Sequence, residues 1–140
     1  SYTVDIDKEI VCEVEYWCLK PQTKVFTLFR VSDSMGAPII DTVNSVEASS
    51  TIDPLYDTPL DTGVYRSQCV FPPNFFNDRR YTLSCIIGRM FPLEIYANSL
   101  DALSFTVFDT GTMRCAGLTG TWHGVVRPKL AWSSSKVLDL

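Results

Sequence analysis

The chain has 140 residues, a formal net charge of −4, 46% hydrophobic residues and 20% charged residues. This composition is typical of one globular domain, long enough to bury roughly two thirds of the surface that its unfolded form exposes. The acidic balance and the scattered lysines and arginines argue against nucleic acid as a partner. No stretch reaches the roughly 18–20 apolar residues of a membrane-spanning helix, and no signal segment opens the chain.

The first half of the chain predicts strands and almost no helix. Apolar and polar residues alternate over short segments that end in turn residues, which is typical of half-buried strands. A polar stretch with two prolines then predicts a long connection, with at most a short strand at residues 48–52. The predicted elements are an N-terminal arm at residues 1–9, strands at residues 10–19, 24–32 and 38–43, a hairpin turn at residues 33–37 and the connection at residues 44–62.

The second half continues the alternation and then becomes rich in glycine. A proline-containing corner, with room for one helical turn after Pro73, separates its first two strands. Pro128 cannot donate a hydrogen bond to a ladder, so the last strand is expected at an edge or in an exchanged position. The predicted elements are strands at residues 64–71, 81–88, 93–97 and 102–108, a corner at 72–78, a turn at 98–101, a glycine-rich loop at 109–124, a final strand at 124–132 and a tail at 133–140.

The strand pattern predicts an all-β fold. Seven to nine short strands without helical periodicity indicate an antiparallel β-sandwich of the Ig-like or jelly-roll type. Tyr81 stands at the start of its strand, directly after the corner, and resembles the tyrosine whose hydroxyl braces such corners in Ig-like sandwiches. No internal repeat or second domain is visible, so residues 1–140 form one predicted domain.

Five cysteines at irregular spacings do not form a disulfide framework or a metal motif. Cys12 and Cys18 lie about 20 Å apart along one predicted strand, beyond disulfide reach. The first four cysteines have apolar neighbours at even spacing, which predicts buried thiols in a reducing compartment. We therefore expect no metal site and no cofactor.

Catalytic motifs are absent from the sequence. There is no phosphate-binding Gly-x-x-x-x-Gly-Lys loop and no Gly-x-Ser-x-Gly elbow. His123 is the single histidine, and the sequence places no orienting acid or nucleophile beside it, so a structural or solvent-facing role is favoured. The sequence therefore predicts a binding domain with no catalytic residues rather than an enzyme.

Aromatic and polar side chains alternate on the predicted outer faces of the strands. Aromatic rings pack on the C–H faces of sugars, while sugar hydroxyls and any carboxylate form directed hydrogen bonds with arginine, glutamate and glutamine. An apolar outer patch is equally compatible with a dimer interface. The predicted carbohydrate-binding residues are Glu15, Trp17, Phe26, Arg30, Arg66 and Gln68; an anionic ligand would favour Arg30 or Arg66, and a neutral one Trp17 or Phe26.

About half of the chain carries a family resemblance. The C-terminal ending, Gly-Val-Val-Arg-Pro-x-Leu-x-Trp, is its most specific element, and the first half agrees only in strand pattern. The segments are Gly63-Val-Tyr-Arg-Ser-Gln-Cys-Val-Phe-Pro-Pro-Asn-Phe-Phe-Asn77, Arg80-Tyr-Thr-Leu, Phe105-Thr-Val-Phe-Asp-Thr-Gly111 and Gly120-Thr-Trp-His-Gly-Val-Val-Arg-Pro-Lys-Leu-Ala-Trp132. In this order they resemble the C-terminal domain of Wzt, the ATP-binding subunit of the ABC transporter that exports lipopolysaccharide O antigen.

The resemblance implies a non-catalytic carbohydrate-binding domain at the cytoplasmic face of the bacterial inner membrane. It implies recognition of the O polysaccharide at its capped non-reducing end, and a homodimer that exchanges C-terminal strands. The membrane subunit of the transporter would be a partner through the full-length protein. Two segments depart from the family pattern: Met113-Arg114-Cys115-Ala116 lacks a second glycine after the arginine, and Asp78-Arg79 replaces a glycine turn.

Two other functions remain compatible with the sequence. One is a dimerisation or interaction module, and the other is the accessory β-domain of a glycan-modifying transferase. The start at Ser1 without an initiator methionine indicates a piece of a longer protein, and the preceding residues would distinguish the readings. An ATPase motif there indicates a transporter, whereas a methyltransferase fold indicates an enzyme.

Overall fold

The computed structural model describes residues 2–109 and 122–140, which form seven strands in two sheets. A five-stranded sheet has the order β1-β7-β6-β3-β4, and a two-stranded sheet pairs β2 with β5. Every pairing is antiparallel except that of β1 with β7. The predicted antiparallel β-sandwich is confirmed. The strands are β1 (Tyr2–Asp5), β2 (Ile10–Cys18), β3 (Phe26–Asp33), β4 (Pro38–Val43), β5 (Gly63–Phe71), β6 (Arg80–Arg89) and β7 (Glu94–Phe108).

The two sheets pack face to face around one apolar core. Side chains alternate along each strand, so that one face of each sheet meets the other sheet while the opposite face stays outside. Thr27 Oγ1 of β3 donates to Ser67 Oγ of β5 at 3.2 Å, which places β5 over β3. The core includes large side chains from both sheets and from the corner between β5 and β6, among them Phe29, Phe71, Phe76, Tyr81, Leu83 and Phe105. Within the described residues no helix is long and apolar enough to cross a lipid bilayer.

The N-terminal arm and the turn predicted at residues 98–101 differ in the structure. The arm contains β1, which runs parallel to β7 and is followed by the buried Ile6. β7 is continuous through residues 98–101, where its register with β6 jumps from Leu83–Leu103 to Cys85–Ser99. Asp101 adopts a left-handed φ of 49° there, and its N–H donates to Ser84 Oγ at 2.8 Å. Turn-forming residues therefore produce a β-bulge inside one strand, and the predicted turn is wrong.

Tyr81 braces the corner that precedes β6, as the sequence predicted. Its hydroxyl lies 3.1 Å from the carbonyl oxygen of Asn77 and 2.6 Å from that of Val125. The Asn77 side-chain amide donates to the carbonyl oxygens of Trp122 and Gly124. The corner thus holds the C-terminal segment against the sandwich. It contains no helical turn.

The final strand predicted at residues 124–132 is not formed within this chain. Instead, Arg127 N–H donates to Phe75 O at 2.7 Å and Lys129 N–H to Asn74 O at 2.8 Å, so the segment lies along the corner as a two-bond ladder. Pro128 occupies the position between these two donors, where no hydrogen is needed. Most of the predicted glycine-rich loop, with Cys115, lies in residues 110–121 and outside the described residues.

Candidate functional site

The outer face of the two-stranded sheet brings three predicted site residues together. Strand register places Glu15 opposite Arg66 and Glu13 opposite Gln68. Arg66 Nη2 lies 2.6 Å from Glu15 Oε1, and its Nε lies 3.2 Å from Glu13 Oε1. Gln68 Nε2 donates to Glu13 Oε2 at 2.6 Å. These polar groups satisfy one another across the strands, and the hydrogen bond from Arg66 to Glu15 raises the arginine pKa.

Two further predicted site residues, Phe26 and Arg30 of β3, lie on the outer face of the five-stranded sheet. Arg30 pairs with Asp41 of β4 through two hydrogen bonds of 2.7 and 2.9 Å, which hold the pKa of Asp41 below its usual value. Phe26 is only 3% exposed, because its ring packs over Gly88 of the neighbouring strand. The expected exposure of Phe26 is therefore wrong. The six predicted residues are divided between opposite sides of the sandwich and do not form one site.

Trp17 follows Glu15 by two residues on the same outer face of β2 and also lines an open cleft. Its side chain is 74% exposed at the end of β2. Because the second sheet has only β2 and β5, it leaves part of β6 and β7 uncovered beside β2. The resulting Trp17 cleft has a volume of about 770 Å³. Its lining includes Trp17, Lys20, Gln22, Lys24, Arg89, Glu94 and Tyr96.

The Trp17 cleft combines two exposed aromatic rings with several charged groups. Tyr96 of β7 is 42% exposed and contributes the second ring. Arg89 donates to Glu94 Oε2 at 2.7 Å and to the carbonyl oxygen of Pro92 at 3.2 Å. Among the residues that line this cleft, the sequence predicted only Trp17 as a site residue. The sequence feature that points to other lining residues is the polar stretch Lys20-Pro-Gln-Thr-Lys24, which follows the strand that carries Trp17.

A second groove flanks the two-stranded sheet on its β5 side. This Asn44 groove, of about 620 Å³, lies between β5 and the connection that follows β4, and Arg66 and Gln68 form part of its rim. Asn44 organises its wall, since its Oδ1 accepts the Thr27 N–H at 2.8 Å and its Nδ2 donates to Asp53 at 2.9 Å. The lining is rich in hydroxyl groups but lacks an exposed aromatic ring.

The described thiols and imidazole do not form a nucleophilic site. Burial raises the pKa of Cys12 to about 12 and that of Cys85 to about 11, so both thiols stay protonated at neutral pH. His123 is exposed, and its carbonyl oxygen accepts a hydrogen bond from Arg79 at 3.0 Å. Among residues 2–109 and 122–140, no group of three metal-ligating side chains is placed to hold an ion.

The fold matches that of a solved domain. The structure is similar to the crystal structure of the C-terminal domain of wzt, with a TM-score of 0.68 and 14% sequence identity. The match covers 95% of this chain and 74% of that one. No protein-family model and no curated protein matches the sequence. The chain therefore has the β-sandwich fold of that domain at a low level of sequence identity.

Proposed function

We propose that this domain is a carbohydrate-binding domain of the Wzt type, which binds O-antigen polysaccharide for export by an ABC transporter. The observation that carries the proposal is the Trp17 cleft: an exposed indole faces an open groove in a chain with the Wzt C-terminal fold. The support comes from its place beside a groove, because sugar sites combine an exposed aromatic ring with a concave surface and a few polar groups.

The chemistry of the cleft suits a sugar. The indole of Trp17 and the ring of Tyr96 offer flat apolar surfaces for the C–H face of a pyranose, and Gln22 and the charged groups reach its hydroxyls. The groove is open, so a chain can lie along it with its end seated at Trp17. In this proposal the domain selects a finished polymer by its capped non-reducing end and performs no chemistry on it.

A homodimer is the second part of the proposal. Leu130, Trp132 and Val137 of the C-terminal segment are exposed, and β1 pairs only with residues 105–108 of β7. An extended apolar segment from a second copy suits the remaining edge of β7, in line with the strand exchange that the resemblance implies. Two linked sites would strengthen weak binding of a repetitive polymer. The full-length protein would act at the cytoplasmic face of the inner membrane with the membrane subunit of the transporter.

The proposal is tested by calorimetric titration of the domain with the O polysaccharide of its source strain, in capped and uncapped forms. We expect the capped polymer to bind, and Trp17→Ala to weaken binding about tenfold, since one ring contact contributes roughly 1–1.5 kcal/mol. Tyr2→Ala is the matched control because Tyr2 is an exposed aromatic residue of β1 outside the cleft.

The other outcomes are distinguishable. Equal affinity for the two polymers would remove the recognition of the cap while leaving carbohydrate binding in place. Absence of binding to either polymer would contradict the proposed function. A stable dimer by light scattering, with no spectral response to the polysaccharide, would instead support a dimerisation or interaction module.

A further inference from the structure

The Trp17 cleft is a locally positive site on an acidic domain. The whole chain has a net charge of −4, yet the charged groups that line the cleft are Lys20, Lys24, Arg89 and Glu94. Three of these four carry positive charge at neutral pH. A concave surface concentrates such a field and attracts anions even when the net charge of the protein is negative.

Lys20 and Lys24 are the cations available to a ligand. Both side chains are exposed, and neither forms an ion pair with any residue in the described ranges 2–109 and 122–140. Arg89 is already held by Glu94. The sequence had favoured Arg30 or Arg66 for an anionic ligand, but both guanidinium groups are engaged by carboxylates across their strands. An anion would have to displace those carboxylates, whereas Lys20 and Lys24 carry no such partner among the described residues.

The backbone that carries the two lysines is fixed at several points. The Lys20 carbonyl oxygen accepts hydrogen bonds from Thr23 Oγ1 at 2.6 Å and from Cys18 Sγ at 3.2 Å. Thr23 exchanges two backbone hydrogen bonds with Leu60, of 3.2 and 2.8 Å. These hydrogen bonds therefore fix the turn internally and also hold it against the connection that precedes β5. A ligand that binds here need not order the loop, which reduces the entropic cost of binding.

We propose that the Trp17 cleft binds a sugar that carries a negative charge, with Trp17 and Tyr96 against the apolar face of the ring and Lys20 and Lys24 beside its carboxylate or phosphate group. This inference rests on the proposed function and specifies the ligand of the same site. Ammonium groups act as mobile point charges and suit either anion, so the shared requirement is the charge itself. Rings and cations thus recognise different parts of one sugar.

The test uses the O polysaccharide of the source strain in three forms: native, with its carboxyl groups reduced to alcohols, and with its phosphate groups removed by hydrofluoric acid. We expect one of the two treated forms to bind at least tenfold more weakly than the native polymer, and that form identifies the anion. Binding of the native polymer should also weaken as sodium chloride is raised from 50 to 500 mM, because exposed charges are screened.

Single substitutions assign the charge to this cleft. Lys20→Met and Lys24→Met should each weaken binding of the native polymer about threefold to tenfold, and Lys24→Arg should retain most of the affinity. Lys8→Met removes the same charge from an exposed position outside the cleft and should bind like the unmodified domain. Unchanged thermal unfolding of each variant shows that folding is not the cause.

The two proposals fail in different ways. Equal binding of all three polymer forms overturns the anionic ligand and leaves carbohydrate binding intact. A dependence on the anion that is unaffected by Lys20→Met and Lys24→Met overturns the assignment to this cleft. Absence of binding to the native polymer overturns both.

Discussion

Arg127 forms a buried ion pair with Asp109, which ties the C-terminal segment to the residue that follows β7. The Arg127 side chain is 3% exposed and that of Asp109 is fully buried. The guanidinium also lies 3.3 Å from Asn77 Oδ1 and stacks over the Trp122 ring at 4.6 Å. Removal of one member of such a pair leaves the other charge in a medium that solvates it poorly. The segment after residue 121 is therefore held by side-chain contacts more than by a strand ladder.

Arg127→Met should strongly destabilise the domain. The substitution removes the buried guanidinium that pairs with the Asp109 carboxylate, and we expect the free energy of unfolding to fall by about 3–5 kcal/mol. Urea denaturation followed by tryptophan fluorescence measures this change. Arg66→Met is the control, because the ion pairs of Arg66 lie on the solvent-exposed face and should shift the urea midpoint only slightly. Equal shifts for the two variants would contradict the anchoring role of Arg127.

Tyr81→Phe tests the brace at the corner. The Tyr81 side chain is fully buried, and loss of its hydroxyl leaves the carbonyl oxygens of Asn77 and Val125 without this donor. We expect a loss of about 1–3 kcal/mol in the free energy of unfolding. Tyr65→Phe also removes a hydroxyl that donates to a carbonyl oxygen, that of Asp61 at 2.8 Å, but that contact is exposed. The Tyr65 variant should therefore be affected less, and the reverse order would overturn the prediction.

Much of the strand pattern is predictable because alternation reports directly on burial. The predicted strand at residues 38–43 coincides with β4, and the inward-facing residues of β6, beginning with Tyr81, are those that alternation selected. The bulge at Asp101 was not predictable, since its turn-forming residues do not reveal that β6 continues alongside them. Residues 124–132 have a strand pattern, but a strand also needs a partner. Among the described residues of this chain they form two backbone–backbone hydrogen bonds, both with the corner.

Residues of the candidate site were predictable only where the alternation within a single strand determines whether a side chain is exposed. Alternation in β2 placed Trp17 outside, and the structure agrees. The same argument put Phe26 on an outer face, but it could not show that this face is covered at Gly88. It also could not show that the carboxylates of Asp41 and Glu15 neutralise the two arginines, because those contacts depend on the register between strands. Lys20 lies next to the turn that follows β2, where no periodicity marks it, and Lys24 begins the strand predicted at residues 24–32 but lies before β3 in the structure.

Alkaline pH should destabilise the domain through its buried thiols. Burial raises the pKa of Cys12 from 9.0 to about 12 and that of Cys85 from 9.0 to about 11. The unfolded chain therefore loses these protons first, so stability is fully present below pH 9 and falls as the pH rises toward the folded pKa values. From pH 8 to pH 10 we expect a loss of about 2–3 kcal/mol by urea denaturation. The double variant Cys12→Val/Cys85→Val lacks both groups and should lose much less over that range; an equal loss would contradict this cause.

Gly88→Ala should destabilise the domain and disturb the Trp17 cleft together. A Cβ atom at this position would lie 2.3 Å from the carbonyl oxygen of Glu94 and 3.1 Å from the ring of Phe26, so the backbones of β6 and β7 must separate there. We expect a loss of about 1–3 kcal/mol in the free energy of unfolding, as for other overpacked sites. Because Glu94 also lines the cleft and holds Arg89, the shift should reach the proposed sugar site.

Gly63→Ala is the matched control at the start of β5. Its Cβ would meet only the Tyr65 ring, at 3.7 Å, which is an ordinary van der Waals contact. This variant should retain both the urea midpoint and the affinity for the polysaccharide. If Gly88→Ala were equally neutral, β6 and β7 would not be in the close contact that buries Phe26. The outer face of β3 would then again be open to a ligand, and Phe26 would return as a candidate binding residue.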